Sequence, residues 1–196
     1  MANKGTGPVS RRTIILIGAA VVAALIIVLV VLQLNRPEPQ PAPTASTTTL
    51  PTPTPASEPI ERDTSTALLA ALPGTVLDYA VSDQVQSQAM IDASALEGWQ
   101  LTYSSTDGDV VLQVGQWPTA EEATAQMQAV LASVDPAAVQ VERERPVEVA
   151  GTAVGQLTVL ALADGAGRAV WTNGTVLFVA DGTLRAVDDF YDAFPL

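Results

Sequence analysis

The chain has 196 residues, 9 basic and 21 acidic, for a formal charge of −12, and it contains neither histidine nor cysteine. Those two absences exclude Ser-His-Asp and Cys-His catalysis, the ordinary zinc sites built on the same ligands, and attachment through a lipidated cysteine. Lys4 is the one lysine and sits near the N-terminus, so Schiff-base chemistry and Ser-Lys dyads are also removed from everything downstream. Carboxylates, hydroxyls and arginines are what remain.

Residues 1–12 form a short basic lead. From Thr13 through Gly18 to Leu34 the chain then runs twenty-two residues without a charge, nearly all Ile, Val, Leu and Ala. As a helix this stretch would be roughly 33 Å long, close to the ~30 Å thickness of a bilayer's hydrocarbon core, and it reads as a transmembrane signal anchor in contact with membrane lipid. Lys4, Arg11 and Arg12 precede it, whereas only Arg36 follows closely. The positive-inside rule therefore puts the N-terminus in the cytoplasm and the rest outside. A cleaved signal peptide is the rival reading, but the apolar core is too long for one. No clean small-x-small site follows either, since Ala42 and Ala45 sit among Pro41, Pro43 and Thr44. Ala19 with Ala23 and Ala20 with Ala24 have the spacing of close helix pairs, which an Ala-rich span produces by chance.

Residues 35–59 are a stalk in which Pro alternates with Thr, Ala and Ser, as in Pro51-Thr52-Pro53-Thr54-Pro55. Such a segment cannot build a core and favours extended polyproline II, so residues 37–59 could reach roughly 70 Å. Its Ser and Thr content also suits O-glycosylation.

Residues 60–196 are long enough for one domain and too short for two. They carry five arginines against nineteen acidic residues, a formal charge of −14, which repels phosphate backbones and argues against nucleic acid as a partner. Thr64 to Leu72 reads as a short helix stopped by Pro73-Gly74, and Thr75 to Val81 as a strand. Gln88 to Glu97 is ambiguous between helix and strand. Trp99 to Ser104 and Val110 to Gln116 form a hairpin around Thr106-Asp107-Gly108-Asp109. A helix starts at a capping box, Thr119 with Glu122, carries Ala123, Met127, Val130, Leu131 and Val134 at helical spacing, and stops at Asp135-Pro136. Val139 to Arg145 alternates Val and Arg with Gln and Glu before Pro146, the charge and proline pattern of a sheet edge protected from pairing. Strands follow at Gln156 to Ala163, Arg168 to Thr172 and Thr175 to Ala180. Asp164-Gly165-Ala166-Gly167 and Asn173-Gly174 turn between them. A last helix, about Thr183 to Ala193, has Leu184, Val187, Phe190, Tyr191 and Phe194 as its apolar stripe.

Hairpin followed by helix occurs twice. The pattern predicts an α+β two-layer sandwich, an antiparallel sheet with both main helices on one face, built from a duplicated strand-strand-helix unit.

Each candidate site has a plainer alternative. Asp188-Asp189-Phe190-Tyr191-Asp192 puts Asp188 and Asp192 on one helical face, where they could share a divalent cation, but a solvated acidic face explains them better. Asp107, Asp109, Asp164 and Asp181 at turns could serve calcium, although their spacing is not that of an EF-hand loop. Asn173-Gly174-Thr175 is formally a glycosylation acceptor, and Asn-Gly between two β-rich runs reads better as a type I′ turn. Arg143 and Arg145 could clamp an anion, but Glu142 and Glu144 beside them suggest local neutralisation. Trp99, Trp117 and Trp171 belong with the core of a domain that has nine aromatics. Phe190, Tyr191 and Phe194 fit that core too, and they are also the residues that could face a partner.

The layout of anchor, Pro/Thr stalk and small acidic domain resembles that of membrane-anchored envelope proteins of high-GC Gram-positive bacteria, as does the nearly lysine-free composition. The function expected is a single-pass, non-catalytic binding or assembly module displayed outside the cell membrane, without a cofactor, acting on an envelope or membrane protein. Twelve cytoplasmic residues are too few for an output domain. The rivals are a hydrolase working with two carboxylates and a calcium-dependent sensor or adhesin.

Overall fold

The computed structural model describes residues 53–195. The anchor, including Thr13, Gly18 and Leu34, and the stalk up to Thr52 lie outside them. Among the described residues no helix is long and apolar enough to cross a membrane. The elements are α1 (Ala67–Ala71), β1 (Thr75–Val76), β2 (Tyr79–Gln86), α2 (Gln88–Asp92), β3 (Glu97–Ser105), β4 (Gly108–Gln116), α3 (Ala120–Ala132), β5 (Gln140–Val149), β6 (Thr152–Ala161), β7 (Ala166–Asn173), β8 (Val176–Thr183) and α4 (Leu184–Ala193).

All eight strands join one antiparallel sheet in the order β1-β2-β3-β4-β8-β7-β6-β5. This is the α+β class expected from the sequence, with β5 at an edge. The capping box at α3 forms as anticipated. Thr119 Oγ1 accepts from the Glu122 backbone N–H at 3.2 Å, and the Glu122 carboxylate accepts from the Thr119 N–H at 3.1 Å. From β4 the chain passes through α3 to β5, which runs parallel to β4 with three strands between them.

The two main helices do not share a face. Val187, Phe190, Tyr191 and Phe194 of α4 pack with Leu112, Val114, Ala169, Trp171, Phe178 and Ala180. Ala123 and Met127 of α3 pack instead with Val170, Leu177 and Val179, joined by Met90 of α2 and by Trp117. Because consecutive strand residues point to opposite faces, these two sets lie on opposite sides of β7 and β8. The middle of the sheet is therefore covered on both sides, and Ala169 to Thr172 and Leu177 to Ala180 are buried at every position. A two-fold axis normal to the sheet would relate β3-β4 to β7-β8, but it would leave both following helices on one face. The strand-strand-helix unit is therefore not repeated as a whole.

Pro146 does not end β5. The strand continues to Val149, and β6 begins at Thr152, four residues before its expected start. An edge strand tolerates proline because only one side of it is paired. The turn of this unexpected hairpin, Ala150-Gly151, has φ of +51° and +78°, the positive pair of a type I′ turn. Ala150 is exposed there in a region that costs an L-residue about 1–2 kcal/mol. Ala150→Asn should therefore stabilise the domain by about 0.5–1 kcal/mol, as read by chemical denaturation.

Two other turns also differ from expectation. The strand expected over 75–81 is broken into β1 and β2 by Leu77, whose φ is +53°. At the β7–β8 turn Asn173 stays in the ladder opposite Val176, and Gly174-Thr175 are the loop, with positive φ only at Gly174.

Beneath α4, Tyr103 is fully buried and its hydroxyl donates to the Pro73 carbonyl at 2.8 Å. Burial pushes its phenol far above the ordinary range, with Arg62 opposing, and burial likewise raises Tyr79 and Tyr191. A folded-state pKa raised above the unfolded value of about 10 gives stability that is intact below that pH and lost as the pH climbs beyond it. Thermal midpoints should therefore hold to about pH 10 and fall above it, and Tyr103→Phe should soften that fall.

Candidate functional site

The seam between β5 and α4 brings together most of the candidate residues. Register places Arg143 opposite Val159, Arg145 opposite Leu157 and Val147 opposite Gly155, all on the face covered by α4. Glu144 and Pro146, opposite Thr158 and Gln156, share the other face. On α4, Asp188 and Asp192 are one helical turn apart and face β5.

The resulting network is compact. Arg143 Nη2 lies 2.7 Å from Asp188 Oδ1, and Arg143 Nη1 donates to both Asp192 oxygens at 3.1 Å. Arg145 Nη2 donates to Asp192 Oδ1 at 3.0 Å. Both guanidinium carbons stand over the Tyr191 ring, 5.5 and 5.2 Å from its centroid, in cation–π range. The neutralisation expected from Glu142 and Glu144 comes from across the seam instead, because neighbours on a strand point apart whereas a helix one layer above points down. Asp188 and Asp192 do share a cation, and it is a guanidinium.

Phe190, Tyr191 and Phe194 are all buried, with Phe190 fully so. Phe190 meets Tyr103 edge-on at 5.0 Å, and Trp171 stacks on Phe178 at 4.9 Å with Tyr191 and Phe194 against its edge. These rings pack in the core, the first of the two readings given for them above. Trp117 and Trp171 are core as anticipated, and Trp99 is half-buried with its indole N–H donating to Glu97 at 3.0 Å.

The other acidic candidates are dispersed. Asp181 is bound by Arg168 through two bonds, of 2.7 and 3.2 Å. Asp109 and Asp164 are exposed at strand ends. Among the described residues no three acidic side chains are placed to hold a metal ion. Asp107 joins Asp78, Asp189, Tyr79 and Arg185 around a cleft of about 350 Å³, a grouping that sequence spacing could not show because it draws on three separate elements. A second cleft, about 420 Å³ and largely apolar, lies between α1, the β7–β8 turn and the end of α4.

No protein-family model and no curated protein sequence matches the chain. Among solved structures, a GTP-binding regulator from Thermotoga maritima is similar at a TM-score of 0.41 and 16% identity, over 60% of this chain and 76% of that one.

Proposed function

We propose that this chain is a membrane-anchored, extracytoplasmic binding or assembly module of the cell envelope and not an enzyme. The observation that carries this reading is the fate of its cations. Arg62 donates to the Leu69 and Leu72 carbonyls at the end of α1, Arg143 and Arg145 are held by Asp188 and Asp192, Arg168 by Asp181, and Arg185 lies 3.4 Å from Asp189. With no histidine, cysteine or lysine in the domain, these are its only cationic side chains. Four of the five are held across the fold by carbonyls or carboxylates, and Arg185 makes only an exposed i,i+4 pair with Asp189, so no cation is held in place to steady a developing anion. The surface is instead one of exposed carboxylates that have no cation against them among the described residues, such as Glu142, Glu144 and Glu148.

The test is cross-linking in intact membranes followed by mass spectrometry, comparing the native chain with one whose residues 60–196 are replaced by an inert domain on the same stalk. A protein captured by the first and lost with the second is the expected result. Capture that survives the replacement would overturn the reading.

A carboxylate hydrolase is the second reading, favoured only by the convergence of Asp78, Asp107 and Asp189 on one cleft. It requires that Asp78→Asn and Asp189→Asn each abolish turnover of an envelope glycan without lowering the melting temperature.

A further inference from the structure

We propose that β5 is a docking edge for an extended basic segment of another protein, and that the same charges turn away a second copy of this chain. The proposal rests on the binding-module reading and names the site and the chemistry of its partner.

Among the described residues β5 has a single neighbour in the sheet, so one side of its backbone carries hydrogen-bonding groups with no strand partner there. Its own arginines are spent, because Asp188 and Asp192 neutralise Arg143 and Arg145 from above. Glu142, Glu144 and Glu148 are exposed and have no cation against them among the described residues. The free charge along the edge is thus acidic only. A slip in register between Val141 and Arg143 leaves Glu142 outside the ladder as the extra residue of a bulge, a feature that re-aims a side chain. Val141, paired with Leu160 on the face away from α4, is 54% exposed and adds an apolar contact beside these carboxylates. Pro146 and a second slip after Val147 limit the usable stretch to Gln140–Arg145.

A strand laid antiparallel on this stretch sets its side chains opposite those of the same face. Lysine or arginine opposite Glu144, with an apolar residue opposite Val141, would match it. A second copy would not. In the register centred on Glu144 the two unneutralised Glu144 side chains would meet, and like charges directly opposite are destabilising. What excludes one partner selects another.

The experiment uses the full chain in nanodiscs of zwitterionic phosphatidylcholine and a fluorescent nine-residue peptide with threonine on one face and, on the other, lysine with one valine placed to meet Val141. A second peptide has the same charge but is N-methylated at consecutive backbone nitrogens, so that both of its edges are blocked and it cannot pair as a strand. Binding of the first peptide is expected, about ten-fold weaker after N-methylation and about ten-fold weaker with Glu142→Gln/Glu144→Gln. Glu58→Gln/Glu61→Gln removes equal charge from the opposite edge of the domain and should change affinity less than about two-fold. Indifference to N-methylation, or equal loss in both double variants, would mean diffuse attraction to an acidic domain and would overturn the proposal. Failure here with a partner still captured in membranes removes the edge and leaves the module. Failure of both removes both.

Discussion

Phe190→Ala should cost the domain about 3–5 kcal/mol, a large part of the ~5–15 kcal/mol that holds an ordinary domain folded. The ring is fully buried where three others converge, at 5.0 Å from Tyr103, 6.1 Å from Tyr79 and 5.6 Å from Phe194. Removing it opens a cavity that β-sheet on one side and helix on the other cannot close, so the lost contacts are not recovered. A domain of this size should lose roughly 10–20 °C of melting temperature, measurable by near-ultraviolet circular dichroism. Asp189→Ala, one residue earlier and exposed, should change it by no more than about 0.5 kcal/mol. The pair also decides what the aromatic stripe of α4 is for. If Phe190 reached toward a partner, its loss would abolish capture in membranes and leave the melting temperature where it was. The burial predicts the reverse order of effects.

That stripe shows why the fold was legible in part. Element types followed from local rules. Thr119 and Glu122 announced α3, the charge alternation of Val139 to Arg145 announced an edge, and Leu184, Val187, Phe190 and Tyr191 announced an amphipathic helix. Layering was harder. Leu177-Phe178-Val179-Ala180 is apolar at successive positions, which is what burial on both faces demands of a strand, and it was the available signal for a helix on each side. The weaker alternation of β3 and β4 pointed the other way, and it describes only their own half of the sheet, where Gln100, Thr102 and Gln113 are half-exposed on the face opposite the core. Leu77 at φ +53° and Ala150 at φ +51° carry no residue-type signal, so the turns they make could not be anticipated. The seam was missed for a geometric reason. Glu142 and Glu144 are nearest to Arg143 and Arg145 in sequence but on the wrong side of the strand, whereas Asp188 and Asp192 arrive from more than forty residues away.

The start of α4 rests directly on the backbone of β7, and Gly167→Ala should break that contact. Gly167 is buried on β7, between Ala161 of β6 and Gly182 of β8, directly under the first residue of α4. A methyl group there would collide with Leu184 Cα, stand 2.9 Å from the Leu184 nitrogen and press on Val187 Cγ2 at 3.0 Å. The first two obstructions are main chain and cannot rotate away. The start of the helix must lift, carrying Val187 and then Phe190 with it. Overpacking of a core costs about 1–3 kcal/mol where side chains can yield, so a loss of about 3 kcal/mol or more is expected when they cannot. Gly74→Ala is the matched comparison. Its nearest atoms belong to Pro59 at 3.5 and 3.7 Å, ordinary contact, and the change should be neutral or stabilising by up to about 1 kcal/mol. Denaturant unfolding of both variants measures the difference. A lifted α4 also withdraws Asp188 and Asp192 from the seam, which would free Arg143 and Arg145 and cancel the acidic character of the edge. In a Gly167→Ala protein that still folds, the basic peptide should therefore bind less well even though every residue of β5 is unchanged, because the charge that β5 presents is set by the helix above it.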